Sequence, residues 1–216
     1  VAQRRLTVSS ISFVAVSGTA SLQLASMHLH NLVQATVYSQ SLIVATEAST
    51  LLVVNCTFSN LNTPAASTVL EAGDLSTVRF VDVTIQNCSS PISVDGPTRA
   101  NFTRVRFLNN QGSGLYPAVM TAFPSLYGEP TVRFDGCLFQ GHSNDAGSAA
   151  GFAFSFYLSA SSLIIRDSDF VANRAACFSM DGTANLLVIN SRFVDNVVVE
   201  ETSSTVLVLL DDALHP

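Results

Sequence analysis

Tryptophan is absent from this 216-residue chain, and charge is scarce: Asp, Glu, Lys and Arg together make up 12% of it. About 25% is usual for a free-standing soluble domain. No unbroken apolar run approaches the roughly 18 residues that a membrane-spanning helix needs. No basic stripe with interleaved aromatics occurs, and the formal net charge is −6, so nucleic acid is not an expected partner. No window sustains the three-four apolar spacing of a capped amphipathic helix, which excludes helical repeats. The opening Val1-Ala2-Gln3-Arg4-Arg5 runs straight into strand-like residues rather than through a secretory leader. The expectation is a segment cut from a longer protein, with a single core at this length.

What is present is a sentence that repeats. Leu51-Leu52-Val53-Val54-Asn55-Cys56-Thr57-Phe58 returns around Ile85, Phe107, Phe139, Phe170 and Phe193, with fainter copies ending at Phe13 and Leu29. Seven and five residues before each anchor the side chain is apolar, as in Val78 and Phe80 or Leu163 and Ile165. Three before, it is polar or glycine: Asn55, Asp82, Arg104, Gly136, Asp167 and Asn190. Period-two alternation places the two apolar residues on one face of a strand. The alternation then slips phase at a residue tolerant of left-handed backbone, which is a sharp bend. Each repeat is therefore strand, corner, strand, facing one core.

From Leu29 the anchors are spaced by 29, 27, 22, 32, 31 and 23 residues, the range of a stacked solenoid. A third strand fits between anchors at Thr68–Gly73, Ile92–Gly96, Ala118–Phe123, Phe152–Leu158, Cys177–Gly182 and Thr205–Leu210. The expected fold is all-β: a right-handed, single-stranded parallel β-helix of about seven to eight coils. It fills residues 1–216 without a domain boundary, and residues 1–50 are its least regular part. Asn109–Pro130 and Gln140–Gly151, rich in Gly, Ser, Pro and Tyr, read as protruding loops.

Cys56 and Cys137 share an inward slot three coils apart, roughly 14 Å at about 4.8 Å per coil, beyond disulfide reach. Cys88 follows an anchor and Cys177 opens a third strand, so no disulfide is expected and the thiols act as small hydrophobes. Three N-x-S/T triplets begin at Asn55, Asn87 and Asn101. Asn101 stands in an outward strand slot, Asn55 at a corner and Asn87 in a post-anchor ladder, so Asn101 is the expected best acceptor for a glycan. That ladder comprises Asn31, Asn60 and Asn87 two past the anchor, then Asn110, Asn173 and Asn196 three past it. Stacked amides pair along such a column, with a glycan-binding row as the functional alternative.

Arg79 and Arg133 share an outward slot, with Arg104 and Arg106 in the coil between and Arg99 nearby. They make a candidate patch for an acidic glycan, against the plainer reading that they pair with Asp82 and Asp135. His28 and His30 are read as pointing to opposite faces, with His142 on a loop and His215 at the terminus. No spacing matches a closed zinc site, so neither metal nor cofactor is expected.

Phe107-Leu-Asn-Asn110, Phe170-Val-Ala-Asn173 and Phe193-Val-Asp-Asn196 resemble the F-x-x-N repeats of bacterial polymorphic outer-membrane proteins, and the repeat resembles pectin-lyase-like β-helices generally. The companion G-G-A-I motif is missing; Ala175-Ala-Cys-Phe178 is a loose echo. The resemblance implies a secreted or surface-displayed solenoid and adhesion. Of the hydrolase-like segments N-T-D, D-D, G-H-G and R-I-K, the first and last are missing, Gly141-His142-Ser143 is incomplete, and Asp211-Asp212 sits at the end of the given sequence. Glycoside hydrolysis needs two carboxylates about 5 to 10 Å apart on an accessible face, and Asp82, Asp135, Asp167 and Asp169 fall at corners or strand exteriors with no convergent group, where they read as bend residues.

Two functions from different classes follow. One is a non-enzymatic structural or adhesive segment of a large extracellular or cell-surface assembly. The other is a polysaccharide-active enzyme, or a degenerate glycan-binding relative. Outward Leu52, Ile164 and Leu187, the run Val197-Val198-Val199, and Val206–Leu210, apolar on both faces, call for cover by further coils or neighbouring chains.

Overall fold

Three parallel sheets of seven strands each wind around one core, in a computed structural model that describes residues 13–30, 41–61, 69–89, 91–112, 117–144, 154–174, 176–181 and 183–197. The first sheet stacks Val14–Val16, Ile43–Ala45, Leu70–Ala72, Ile92–Asp95, Met120–Phe123, Phe154–Ser159 and Ala176–Asp181. The second stacks Ser21–Ala25, Thr50–Val54, Thr77–Val81, Arg99–Thr103, Thr131–Asp135, Ser162–Arg166 and Asn185–Ile189. The third stacks His28–His30, Thr57–Ser59, Thr84–Gln86, Arg106–Leu108, Leu138–Gln140, Asp169–Val171 and Arg192–Val194. One strand from each sheet makes a coil, so the described residues hold seven coils of a parallel β-helix. Gln111–Gly112 and Ser143–Asn144 add a short fourth pair.

The corner between the second and third sheets is built as the phase slip requires. Ser26, Asn55, Asp82, Arg104, Gly136, Asp167 and Asn190 all have φ between +48° and +60°. A second left-handed column, Asn60, Asn87, Asn109, Gly141, Ala172 and Asp195, turns the chain out of the third sheet. Non-glycine residues occupy most of both columns, and Asn or Asp is common in them because a short polar side chain bonds locally in this backbone region.

Inside, the anchors form a ring column. Phe107 and Phe139 stack at 5.2 Å, Phe139 and Phe170 at 4.5 Å, and Phe170 and Phe193 at 4.5 Å. Phe102 and Phe134 stack beside them at 4.7 Å. Identical register in a parallel stack puts like residues 4.8 Å or so apart, which suits offset ring stacking. Ser49, Ser76, Thr98 and Ser161 are buried one residue before their second-sheet strands.

The first coil departs from expectation. Phe13 is not an anchor: it is 39% exposed and precedes Val14–Val16, which pairs with Ile43–Ala45 in the first sheet. Leu29 is the true anchor of that coil, in register with Phe58. Residues 1–12, Asn31, Thr205–Leu210, Asp211, Asp212 and His215 lie outside the described residues.

Candidate functional site

The outer face of the second sheet places Leu52, Arg79, Asn101, Arg133, Ile164 and Leu187 in one register row. Arg79 and Arg133 therefore flank Asn101, Arg99 opens the same central strand, Arg104 sits at the following corner, and Arg106 opens the next strand. Two of the five arginines are committed to carboxylates. Arg104 grips Asp82 through two bonds of 2.7 and 2.8 Å, and Arg133 grips Asp135 at 2.6 and 3.1 Å. The Arg104 hydrogen bonds hold the Asp82 carboxyl below its ordinary range. Arg79, Arg99 and Arg106 are exposed and form no ion pair among the described residues. All the chain's cationic side chains are arginines; it has no lysine. Planar, always-charged guanidinium groups suit carboxylates and aromatic faces.

The three sequons each bury their middle residue, Cys56, Cys88 and Phe102, and turn the asparagine outward. Asn55 and Asn87 are the more exposed, Asn101 being half-buried among its neighbours. Asn87 donates its amide to Asn60 Oδ1 at 3.1 Å and Asn55 to Ser26 Oγ at 3.5 Å. Asn101 makes no side-chain bond among the described residues.

The post-anchor asparagines form two columns rather than one. Asn60 and Asn87 stand outside at the left-handed corner. Asn110 and Asn173 are fully buried, in a column with Cys88, His142 and Asn196. Each amide in that column copies a backbone strand. Asn110 Oδ1 accepts the Cys88 N–H at 2.9 Å while its Nδ2 donates to the Ile85 carbonyl at 3.2 Å. Asn173 does the same for the His142 N–H and the Phe139 carbonyl, and Asn196 for the Asn173 N–H and the Phe170 carbonyl. An inward column cannot present a glycan-binding row.

His142 belongs to this column and not to a solvated loop. It is fully buried, its Nδ1 accepts the Asn110 N–H at 3.2 Å, and its Nε2 has no partner among the described residues. Burial drives its pKa down to about 3, so the ring is neutral. His28 and His30 are both exposed on one outer face, with Leu29 inward between them, because residues two apart on a strand share a side. Among the described residues no three His, Cys, Asp or Glu side chains are placed to hold a metal ion. Cys56, Cys88 and Cys137 are buried and unbridged, and burial pushes the Cys88 and Cys137 thiols up to about 12, which makes them poor nucleophiles.

Sequence reasoning missed an acidic corner. Glu71 and Asp95 lie on the outer face of the first sheet, and Asp74 and Glu47 at its junction with the second. Burial first, then the charges of Glu71 and Asp74, raise the Asp95 carboxyl to about 6. Beside this corner Ser125 and Gly128 close a tight turn, with paired backbone bonds of 2.9 and 3.3 Å. The turn lies against Gly96 and Pro97, where a Cβ on Gly96 would meet Ser125 Oγ at 2.8 Å. Its tip presents Leu126, 101% exposed, and Tyr127, 81% exposed. The signal available beforehand was the set of outward slots in the third strand of each repeat.

A protein-family model described as a right-handed beta helix region matches residues 12–211. No curated protein and no solved structure matches the chain.

Proposed function

The chain belongs to the right-handed β-helix family, and from that membership we propose that it is a non-enzymatic structural or adhesive segment of a large extracellular or cell-surface protein or assembly. The observation that carries this reading is where the repeated polar residues go. The left-handed corners hold the turns, the buried asparagines bond backbone, and Arg104, Arg133 and Arg192 pair with carboxylates. Family membership fixes the coil and leaves chemistry to sites grafted on it, and nearly every recurrent side chain already has a structural task. Other chains or further coils are its partners in this reading. A reducing-end assay across uronate and neutral polysaccharides is the test: the expected result is no turnover, and turnover of any of them overturns the proposal.

One observation favours a second reading, as a polysaccharide-active enzyme or its glycan-binding relative. The Asp95 carboxyl has its pKa raised to about 6 by burial and by the charges of Glu71 and Asp74, and perturbed acids gather at functional sites. Arg79, Arg99 and Arg106 would supply cationic contacts to an acidic polymer. A glycan array separates the two: binding that Arg79→Ala and Arg106→Ala abolish, without turnover, selects the degenerate binder.

A further inference from the structure

Charge is unevenly divided around the helix. The described strands of the first sheet carry no arginine, and its junction with the second sheet gathers Glu47, Asp74 and, at the foot of the Ser125 turn, Glu129. The uncommitted arginines stand on the neighbouring faces. The acidic junction also bears the most exposed apolar groups, Leu126 and Tyr127, on a turn whose backbone is fixed by its own bonds and by Tyr127 N–H to Ser125 Oγ at 3.1 Å. A preformed turn loses little conformational freedom on binding, and tyrosine on such a turn is a typical anchor at protein interfaces.

The counterpart lies on the same molecule but on another face. Leu52 and Val54 point outward from Thr50–Val54; in register beside them on the next strand are Arg79 and Val81. The result is a half-buried apolar strip edged by the exposed Arg79 guanidinium, with Arg99 on the following strand. Apolar tip with an acidic rim and apolar strip with a basic rim are complementary in both respects. Since Leu126 is fully exposed, the tip does not occupy the strip of its own chain.

We propose that the Leu126–Tyr127 turn docks on a second copy of this chain, seating on the Leu52–Val54–Val81 strip with Tyr127 against Arg79 and Glu129 at the basic rim. An arginine over a tyrosine ring adds a cation–π contact. The two surfaces differ, so the contact is heterologous and propagates unless a reciprocal pair closes it. The footprint is one turn on one strip, below the standard interface of about 1,200 to 2,000 Å², so association is weak and concentration-dependent. The inference rests on the part of the functional reading that places the chain in an assembly.

Sedimentation velocity on the folded chain, from micromolar to millimolar, tests it in low salt and again near 1 M salt, where the Debye length is about 3 Å. Reversible self-association that weakens in high salt is expected. Leu126→Ser and Tyr127→Ser should each weaken it about tenfold or more; both side chains are in solvent, so far-ultraviolet dichroism should be unchanged. Arg79→Glu and Glu129→Arg should each weaken it alone, and an equimolar mixture of the two should recover it. A monomer throughout, association indifferent to the tip variants, or insertion of a monomer's tip into phosphatidylcholine vesicles would each overturn the proposal. None of these outcomes bears on turnover, so the functional reading would stand or fall separately.

Discussion

His142 takes the backbone N–H of Asn110 on its Nδ1 at 3.2 Å and leaves its Nε2 buried without a partner among the described residues. It stands where the neighbouring coils have Asn110, Asn173 and Asn196, whose second amide atom reaches the anchor carbonyl one coil back. An imidazole has no group at that place, so the Nε2–H donor is orphaned. His142→Asn should supply an amide for the Phe107 carbonyl and remove the orphan. Unfolding free energy should rise by about 1 to 2 kcal/mol, measured by denaturant titration. His142→Ala should lower it, since the Asn110 N–H then loses its acceptor.

The same residue makes stability depend on acid. Its folded pKa is about 3 against an ordinary 6.5. The unfolded chain therefore binds a proton that the folded chain refuses, and the contribution of neutral His142 is complete above pH 6.5 and lost progressively toward pH 3. Melting temperatures of wild type and His142→Asn across that window should diverge as pH falls. Parallel curves would show that the ring does not titrate with folding.

Asp95 acts with the opposite sign. Its carboxyl is raised from 3.8 to about 6 by burial and by Glu71 and Asp74, so the folded chain keeps a proton that the unfolded chain has released. Stability falls as pH rises from about 4 through 6 and stays lower above. Asp95→Asn should leave the melting temperature unchanged near pH 4 and raise it at pH 8. The gain should be about 1 kcal/mol once solvent screening of this partly exposed group is included.

The strands and corners were legible because the coil repeats a demand at every turn: two inward apolar residues, then a residue that accepts positive φ. Asn55, Asp82 and Gly136 could be read for that reason, though nothing alike joins their side chains. The first coil was legible only in part: Leu29 reads as an anchor and is one, but Phe13 reads as another. Phe13 has the composition of an anchor, but spacing alone cannot tell a third-sheet strand from the lead-in to a first-sheet one. The asparagines two and three past the anchor looked like one drifting ladder. A one-residue shift in fact moves the side chain from solvent to core, which separates Asn87 from Asn110. His142 was hidden by the flanking Gly141, Ser143 and Asn144, which have loop composition, whereas the column that buries it is defined by neighbours about 30 residues away. The acidic corner escaped because Glu71 and Asp95 stand on adjacent strands, Glu71 opposite Ser93, whose outward slots follow insertions of unequal length.

Phe139 sits at the middle of the ring column, 4.5 Å from Phe170 and 5.2 Å from each of Phe107, Phe134 and Phe156. Phe139→Ala opens a cavity enclosed on every side and should cost about 3 to 5 kcal/mol. Phe193 in the last described coil is only partly buried, so Phe193→Ala should cost clearly less. Equal costs in paired denaturation curves would mean that Phe193 is as enclosed as Phe139.

Asn101 should be the most occupied of the three sequons when the chain is made in a host that glycosylates asparagine. Its position in Arg99–Thr103 puts Asn101 and Thr103 on the same outer face, with Phe102 buried between them. Its amide is uncommitted, whereas Asn87 is bonded to Asn60 and Asn55 lies within 3.5 Å of Ser26. Exposure works the other way, because Asn55 and Asn87 stand at open corners and Asn101 lies between Arg79 and Arg133. The committed amides and the strained left-handed backbone at Asn55 and Asn87 are taken to outweigh that exposure, since the acceptor nitrogen must be released from its bond before transfer. Intact-glycopeptide mass spectrometry reads the order directly. Occupancy highest at Asn101 is the expected result; Asn55 modified with Asn101 bare would show that exposure, and not the freedom of the amide, selects the acceptor.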